Sequence, residues 1–363
     1  MRLGWQKLFS LPLAIVLALS LRPAPAAAGA DKEYSVHPLV SNVAGAAPRT
    51  DPNLVNAWGL VAGPATPWWV ADNGTSLSTL YRADGSIVPL VVQVPVHPTG
   101  AVFWAAGVRA RFVFDTEAGQ VRGWLPAQGN QTIVLADRSA VGAIYKGLAL
   151  ATTGAGDRFY ATDFHNGRVD VFDSSFNLVT RAGAFADPDL PSGYAPFGIQ
   201  TIGSRVFVTY AKQGPDAVDE IHGQGKGFVD VYATSGLLLA RVAQHGQLNA
   251  PWGLALAPAD FGRFSGDLLV GNFGDGQINA YEEMANGKFE HRGELRGTDG
   301  RSLSIDGLWA LQFGHGTVNN GPTNTLFFTA GPTDETDGRA SIERRKSRTN
   351  SEISTAAPTL AML

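Results

Sequence analysis

Two stretches set the rhythm of this chain. Gly167-Arg168-Val169-Asp170-Val171-Phe172 and Gly227-Phe228-Val229-Asp230-Val231-Tyr232 alternate polar and apolar side chains, the period of a strand with one buried face. Each follows a run dense in aromatic and β-branched residues, Arg158-Phe159-Tyr160-Ala161-Thr162-Asp163 and Arg205-Val206-Phe207-Val208-Thr209-Tyr210. Such composition packs well on a pleated surface. Runs of the same kind stand at 68–72, 111–115, 267–272 and 325–330, separated by turns rich in Asn, Asp and Gly. No stretch between residues 31 and 338 carries a helical period, so the pattern predicts an all-β chain.

The runs repeat. Aligned on a glycine, the units are Trp58-Gly59-Leu60, Thr99-Gly100-Ala101, Lys146-Gly147-Leu148, Phe197-Gly198-Ile199, Trp252-Gly253-Leu254 and Asp306-Gly307-Leu308. By subtraction the glycines lie 41, 47, 51, 55 and 54 residues apart. A period of roughly 40 to 50 residues with several strands per unit is the signature of a propeller. One such sheet cannot bury both faces alone and needs a neighbour on each side. Six units predict a six-bladed β-propeller over 31–338, its strands ringing a central channel. Glu33-Tyr34-Ser35-Val36-His37-Pro38-Leu39-Val40-Ser41 reads as a strand that closes the ring in the sixth blade. Arg49-Thr50-Asp51-Pro52-Asn53 reads as a turn into the first.

The ends break the pattern. Arg2 and Lys7 precede an apolar run over 8–21, followed by Ala26-Ala27-Ala28 and Ala28-Gly29-Ala30. A run of fourteen residues is too short to span a bilayer. Residues 1–30 therefore read as a signal peptide cleaved near Ala28 or Ala30, giving a secreted or periplasmic protein with no membrane span after cleavage. After Gly338 an alternating apolar strand is due, but Arg339-Ala340-Ser341-Ile342-Glu343-Arg344-Arg345-Lys346-Ser347-Arg348 stands there instead. Seven of the last 25 residues are charged, so 339–363 reads as a polar basic tail, disordered beyond about Ile342. A change of reading frame near Gly338 is the alternative explanation.

The net charge of −4 hides a sharper division. Residues 1–30 hold three cations and no acid, and 339–363 hold five cations and two acids, which leaves −10 on the body. An acidic body excludes nucleic acid as a partner, since phosphate binding needs clustered positive charge. The chain has no cysteine, and a body of this length can build its core without disulfides.

Several motifs are long enough to carry a resemblance. Asp51-Pro52-Asn53-Leu54-Val55-Asn56-Ala57-Trp58-Gly59-Leu60, Val208-Thr209-Tyr210-Ala211-Lys212, Asn249-Ala250-Pro251-Trp252-Gly253-Leu254, Leu269-Val270-Gly271-Asn272-Phe273-Gly274-Asp275-Gly276 and Gly307-Leu308-Trp309-Ala310-Leu311 resemble a family of secreted bacterial proteins, some ending in a PEP-CTERM sorting segment. The resemblance runs over about residues 36–338, and the units also resemble NHL repeats. It implies a secreted propeller and no particular activity. No sorting segment is visible in this chain, which implies release rather than anchoring.

In a propeller the loops between blades and those between second and third strands emerge on one face. That rule gathers Asn56, His97, Lys146, His245, Asn249 and Asp306, with Asp72, His165, His222 and Asn272, around one mouth of the channel. A concave mouth with a few polar groups is the default ligand site. His315 falls on the opposite face. Trp58, Phe197 and Trp252, each preceding a repeat glycine, either pack beside the channel or offer an aromatic platform. The Asp-Asn-Gly turns are explained by turn chemistry, with hard-oxygen calcium ligation as the alternative. The histidines show no metal-ligand spacing, although different blades could assemble a cluster. No nucleophile elbow or phosphate loop occurs. The polar, Gly-rich insertion over 212–226 is a candidate functional loop.

Two functions follow. One is a secreted binding module for an extracellular protein, glycan or small molecule, using Asn56, Trp58, His97, Lys146, His165, His222, His245, Asn249, Trp252 and Asp306. The other, resembling other six-bladed propellers, is a metal-dependent channel-mouth enzyme of the lactonase or lyase kind. In that reading calcium is held by Asn56, Asn249 and Asp306, although no glutamate stands on any inner strand.

Overall fold

The computed structural model describes residues 33–333, 335 and 359–362. The signal peptide expected over 1–30 and most of the tail lie outside them. The described residues form no α-helix, only short 3-10 turns at Pro126–Gln128, Ser139–Val141 and Gly262–Phe264. None is long and apolar enough to cross a membrane.

The strands assemble into a β-propeller. The first unit is a four-stranded antiparallel sheet of Ala57–Val61, Trp68–Asp72, Leu77–Tyr81 and Ile87–Gln93. The second, fourth and fifth units repeat this order, with inner strands Pro98–Phe103, Tyr194–Ile202 and Pro251–Leu256. The sixth sheet joins Leu308–Phe313 and Leu326–Ala330 to Thr359–Met362 and Ser35–Pro38. The early strand thus lies where it was expected, in the last unit.

Five four-stranded blades stand where six were expected. The third unit stops at three strands: Tyr145–Thr153, Gly156–Asp163 and Arg168–Asp173. Its would-be fourth strand starts well, with the Val179 N–H donating to the Val171 carbonyl at 2.7 Å. Then the Val171 N–H is taken by the Thr180 hydroxyl, also at 2.7 Å. A side chain has replaced the backbone acceptor, and the ladder ends.

The repeat glycines mark where inner strands touch around the axis. A Cβ on Gly59 would lie 2.5 Å from the Thr99 carbonyl oxygen, and one on Gly147 would lie 3.0 Å from that of Phe197. Gly198 and Gly253 face the carbonyls of Trp252 and Trp309 in the same way. Second-strand threonines add bridges between units: Thr162 donates to the Phe197 carbonyl at 2.7 Å, and Thr329 to that of Trp58 at 2.6 Å. The last bond joins the sixth unit to the first.

Three expectations need correction. The sixth unit aligns on Ala310, not Gly307. Leu308 and Leu311 pair with Ala330 and Phe328 across a bulge, as Ala57 and Leu60 pair with Asp72 and Val70. Gly307 sits in the preceding turn at φ +66°. Arg49–Thr50 is not a turn but a short strand, parallel to Val40–Ser41. And the tail is not loose to its end, because Thr359–Met362 lies between Leu326–Ala330 and Ser35–Pro38, parallel to both. Leu360 and Met362 are buried in the core. Their alternation supplies the apolar strand that was due after Gly338, and a parallel pairing needs the long connection the chain provides.

Candidate functional site

Two rings of side chains form at the expected mouth. Strand register places Trp58, Thr99, Lys146, Phe197, Trp252 and Trp309 at one equivalent inner-strand position. The equivalent position at the end of each second strand forms the other ring: Asn73, Glu117, Phe164, Ala211, Phe273 and Gly331. The aromatic members fill the axis. Trp58 stacks on Trp309 with centroids 3.6 Å apart, Phe273 stacks on the other side at 4.1 Å, and Trp252 and Phe197 stand edge-on. All are buried, so they pack beside the channel rather than forming an open platform. Below them the channel holds a cavity of about 30 Å³ lined by Gly59, Leu148, Leu254 and Leu311, room for about one or two waters.

Each ring contains one charged residue, and the two meet. The Lys146 side chain is 1% exposed. It lies 2.6 Å from Glu117 Oε1, 3.2 Å from Asp219 Oδ1 and 5.2 Å from the Trp58 ring centre. The Trp252 indole N–H donates to the Lys146 carbonyl at 2.8 Å. The other Glu117 oxygen accepts from Asn73 Nδ2 at 2.9 Å. Asn56 continues the chain of bonds. Its Nδ2 donates to Asn73 Oδ1 at 3.3 Å and to Glu335 Oε2 at 2.8 Å, while its Oδ1 accepts from the Trp309 indole at 3.1 Å. Asn56 has φ 47°, a left-handed conformation that asparagine tolerates better than most residues.

The insertion over 212–226 folds across this mouth. The Gln213 side chain donates to the Phe164 carbonyl at 2.6 Å, and the Gly223 N–H to Asn249 Oδ1 at 2.6 Å. Between these anchors the loop brings Asp219 and Glu220 to Lys146. Four carboxyl groups thereby surround one ammonium, and the electrostatics separate them. Burial alone would raise the Glu117 carboxyl, but the Lys146 charge and the hydrogen bonds from Asn73 and Lys146 hold it below its ordinary value. Burial alone would lower Lys146, yet the charges of Glu117, Glu220 and Asp219 raise it well above the usual lysine range. Burial raises Glu220 against the pull of Lys146. Burial and then the Glu220 charge push Glu335 up to about 7.

Of the residues expected at the site, Asn56, Trp58, Lys146 and Trp252 come together here. His97 stands at the margin, bonded through Nδ1 to the Asn73 carbonyl at 3.1 Å. His165 contacts the loop at the Ala217 carbonyl, at 3.2 Å, and His222 lies against the Phe273 ring. His245 is taken up by the Gly225 carbonyl and the edge of Phe228. Asn249 spends its amide on Gly223 and Asp275, and exposed Asp306 accepts from the Thr333 N–H. Asn56, Asn249 and Asp306 are thus tied into separate networks. Among the described residues no three His, Cys, Asp or Glu side chains are placed to hold a metal ion. The residues present do not fit a calcium centre. On the opposite face His315 contacts the Gly63 carbonyl, as expected.

Asn73, Glu117, Glu335 and Trp309 were not among the residues expected at the site, and Asp219 and Glu220 were covered only as part of the 212–226 candidate loop. A signal for Glu117 existed: with the units superposed on the end of the second strand, it stands where Phe164 and Phe273 stand. A charge in a ring of aromatics is the anomaly to look for, and Lys146 is its counterpart in the inner ring.

No protein-family model matches the chain. An uncharacterised protein of Acanthamoeba polyphaga mimivirus is 32% identical over 329 residues, covering 84% of this chain and 78% of the relative. A second from the same virus is 30% identical over 337 residues, covering 84% of each. Among solved structures a glucose dehydrogenase superposes with a TM-score of 0.53 at 11% identity, covering 81% of this chain and 98% of that one, a likeness of fold alone. These two relatives are viral where the resemblance implied a bacterial family. The chain belongs to the same family as these two mimivirus proteins.

Proposed function

We propose that the protein is an enzyme acting on a small polar molecule at this channel mouth, by proton transfer, in a hydrolysis or elimination of the lactonase or lyase kind. The observation that carries the reading is the convergence of Glu117, Asp219, Glu220 and Glu335 on the buried Lys146 ammonium, with the carboxyl affinities for protons driven apart. Groups whose environments separate their proton affinities are the usual acid–base machinery of active sites. Glu335, half protonated near neutrality, is the proton donor and acceptor, and Asn56 orients it. Lys146 stays charged and steadies negative charge developing on a substrate oxygen. Glu117 positions Lys146. Because Lys146 is covered, the 212–226 loop must lift to admit substrate.

This reading replaces the metal-dependent form of the enzyme and ranks above a protein- or glycan-presenting module. Its test is turnover of a panel of lactones and hydroxy acids followed against pH. The expected rate–pH profile has a limb near Glu335's value of about 7, and Glu335→Gln abolishes that limb. Saturable binding without turnover returns the protein to the binding modules, and a profile unchanged by Glu335→Gln rejects the assignment.

We further infer that the ring counts six blades, with the three-stranded sheet as the third. Its inner strand lies between those of the second and fourth units, where Gly100 meets Leu148 and Gly147 meets Phe197. Export to a secreted or periplasmic location is proposed on the basic start and short apolar run of residues 1–30. N-terminal sequencing of protein recovered outside the cytoplasm, beginning near Ala28 or Ala30, tests it.

A further inference from the structure

The third unit's missing strand leaves a second site. Where a fourth strand would lie, the chain over 174–193 departs for the next blade, and a pocket of about 270 Å³ opens between the third and fourth units. Its lining includes the Thr153-Gly154-Ala155 hairpin and the Thr234-Ser235 turn, which belong to the face opposite the channel mouth. Phe185 is buried at its base, packed on Tyr160 and Tyr232 with centroids 5.3 and 5.2 Å away. Val171 adds apolar wall.

Two guanidinium groups flank this apolar base, Arg158 and Arg181. Neither forms an ion pair among the described residues. Arg158 donates only to the Asp157 backbone carbonyl, at 2.9 Å. The acids close by are committed elsewhere. Asp157 accepts from the Trp104 indole and the Thr152 hydroxyl, and Asp173, the cross-strand neighbour of Arg158, accepts from the Ser175 and Asn177 backbone and feels the Arg158 charge only without direct contact. Asp187 pairs with Arg241. In a body of net charge −10, two arginines that line one pocket without an ion-pair contact among the described residues are a local reversal of sign. Thr234 and Ser235 line the same pocket, and their hydroxyls form no hydrogen bond among the described residues.

We propose that this pocket binds a small organic anion, a carboxylate or phosphate ester carried on an apolar body. The guanidinium fork suits either group, and the Phe185 base suits a ring or short alkyl chain. The volume lies just below that of ordinary small-ligand sites, which limits the body to about one ring.

Calorimetric titration of the full chain with phenyl phosphate, benzoate, inorganic phosphate and benzyl alcohol tests this. Phenyl phosphate or benzoate should bind saturably, and whichever is tighter names the anionic group. Inorganic phosphate should bind more weakly, and benzyl alcohol not at all. Arg181→Gln and Arg158→Gln should each weaken binding about tenfold or more, as loss of a hydrogen bond to a charged group does. Added salt should weaken it too. Arg181 is exposed and its side chain forms no hydrogen bond or ion pair among the described residues, so its variant keeps the fold. Failure of both anions to saturate, equal binding of benzyl alcohol, or affinities indifferent to Arg181→Gln would overturn the proposal.

Discussion

Replacing Lys146 by Met tests the channel-mouth network. The substitution keeps an unbranched apolar stem against Trp58 and removes the ammonium 2.6 Å from Glu117. Stripping one partner from a buried ion pair costs about 3–5 kcal/mol, because the other charge is left uncompensated. Glu117 is 25% exposed and keeps its bond from Asn73, so a cost at or just below the lower end of that range, about 2–3 kcal/mol, is expected. The sign with pH follows from the wild-type shifts. Glu117 is held below its ordinary value by Lys146, so its stabilisation is present above the unfolded carboxyl value and fades as pH falls through the folded one. Lys146 is shifted upward, so its own contribution stays full below the ordinary lysine value. The variant's penalty should therefore be largest near about pH 8 and shrink towards about pH 4, where the stranded carboxyls take protons. Urea unfolding at both values measures it. Adding Glu117→Gln should recover part of the loss, since it removes the nearest stranded charge and leaves Asp219 and Glu220 to account for the rest. A penalty independent of pH, or one that Glu117→Gln deepens, would refute the argument.

Three further outcomes follow from named contacts. Gly59→Ala should cost about 1–3 kcal/mol or more in urea unfolding, through a Cβ forced against the Thr99 carbonyl rather than through backbone strain. Glu335→Gln should stabilise the fold above neutrality by about 1–3 kcal/mol and leave it unchanged near the ordinary value of 4.5, because a carboxyl raised to about 7 loses native stability as pH climbs between the two; equal melting temperatures across that window would contradict it. Leu360→Ala should cost about 2–5 kcal/mol, and a null effect in thermal unfolding would show that the terminal strand does not belong to the core.

The propeller was legible because its glycines have a steric job. Gly59, Gly147, Gly198 and Gly253 lie where a side chain would strike the next inner strand, so the repeat is written in residues that cannot vary freely. The sixth unit misled because Ala310 holds that position while Gly307 serves a turn. The missing strand of the third unit was invisible because it depends on one hydroxyl, Thr180, capturing a backbone N–H. Thr359–Met362 was lost by averaging: charges over 339–348 masked the alternation of Leu360 and Met362.

The site was half legible for a related reason. Asn56, Trp58, Lys146 and Trp252 sit beside repeat glycines and could be placed by register. Glu117, Asp219, Glu220 and Glu335 arrive from turns, an insertion and the last described loop. Their meeting point is set by tertiary closure, which no local period records. Asn249 and Asp306 misled because asparagine and aspartate in turns look alike whether they bind a ligand or a backbone N–H.

The most direct test of the account is the titration of glutamate carboxyl carbons by nuclear magnetic resonance, with Glu335→Gln to assign the signal. The account predicts one glutamate titrating near 7 and lost in that variant, with Glu117 titrating below the ordinary range. A protein in which every glutamate titrates at its ordinary value would contradict the acid–base site at the channel mouth.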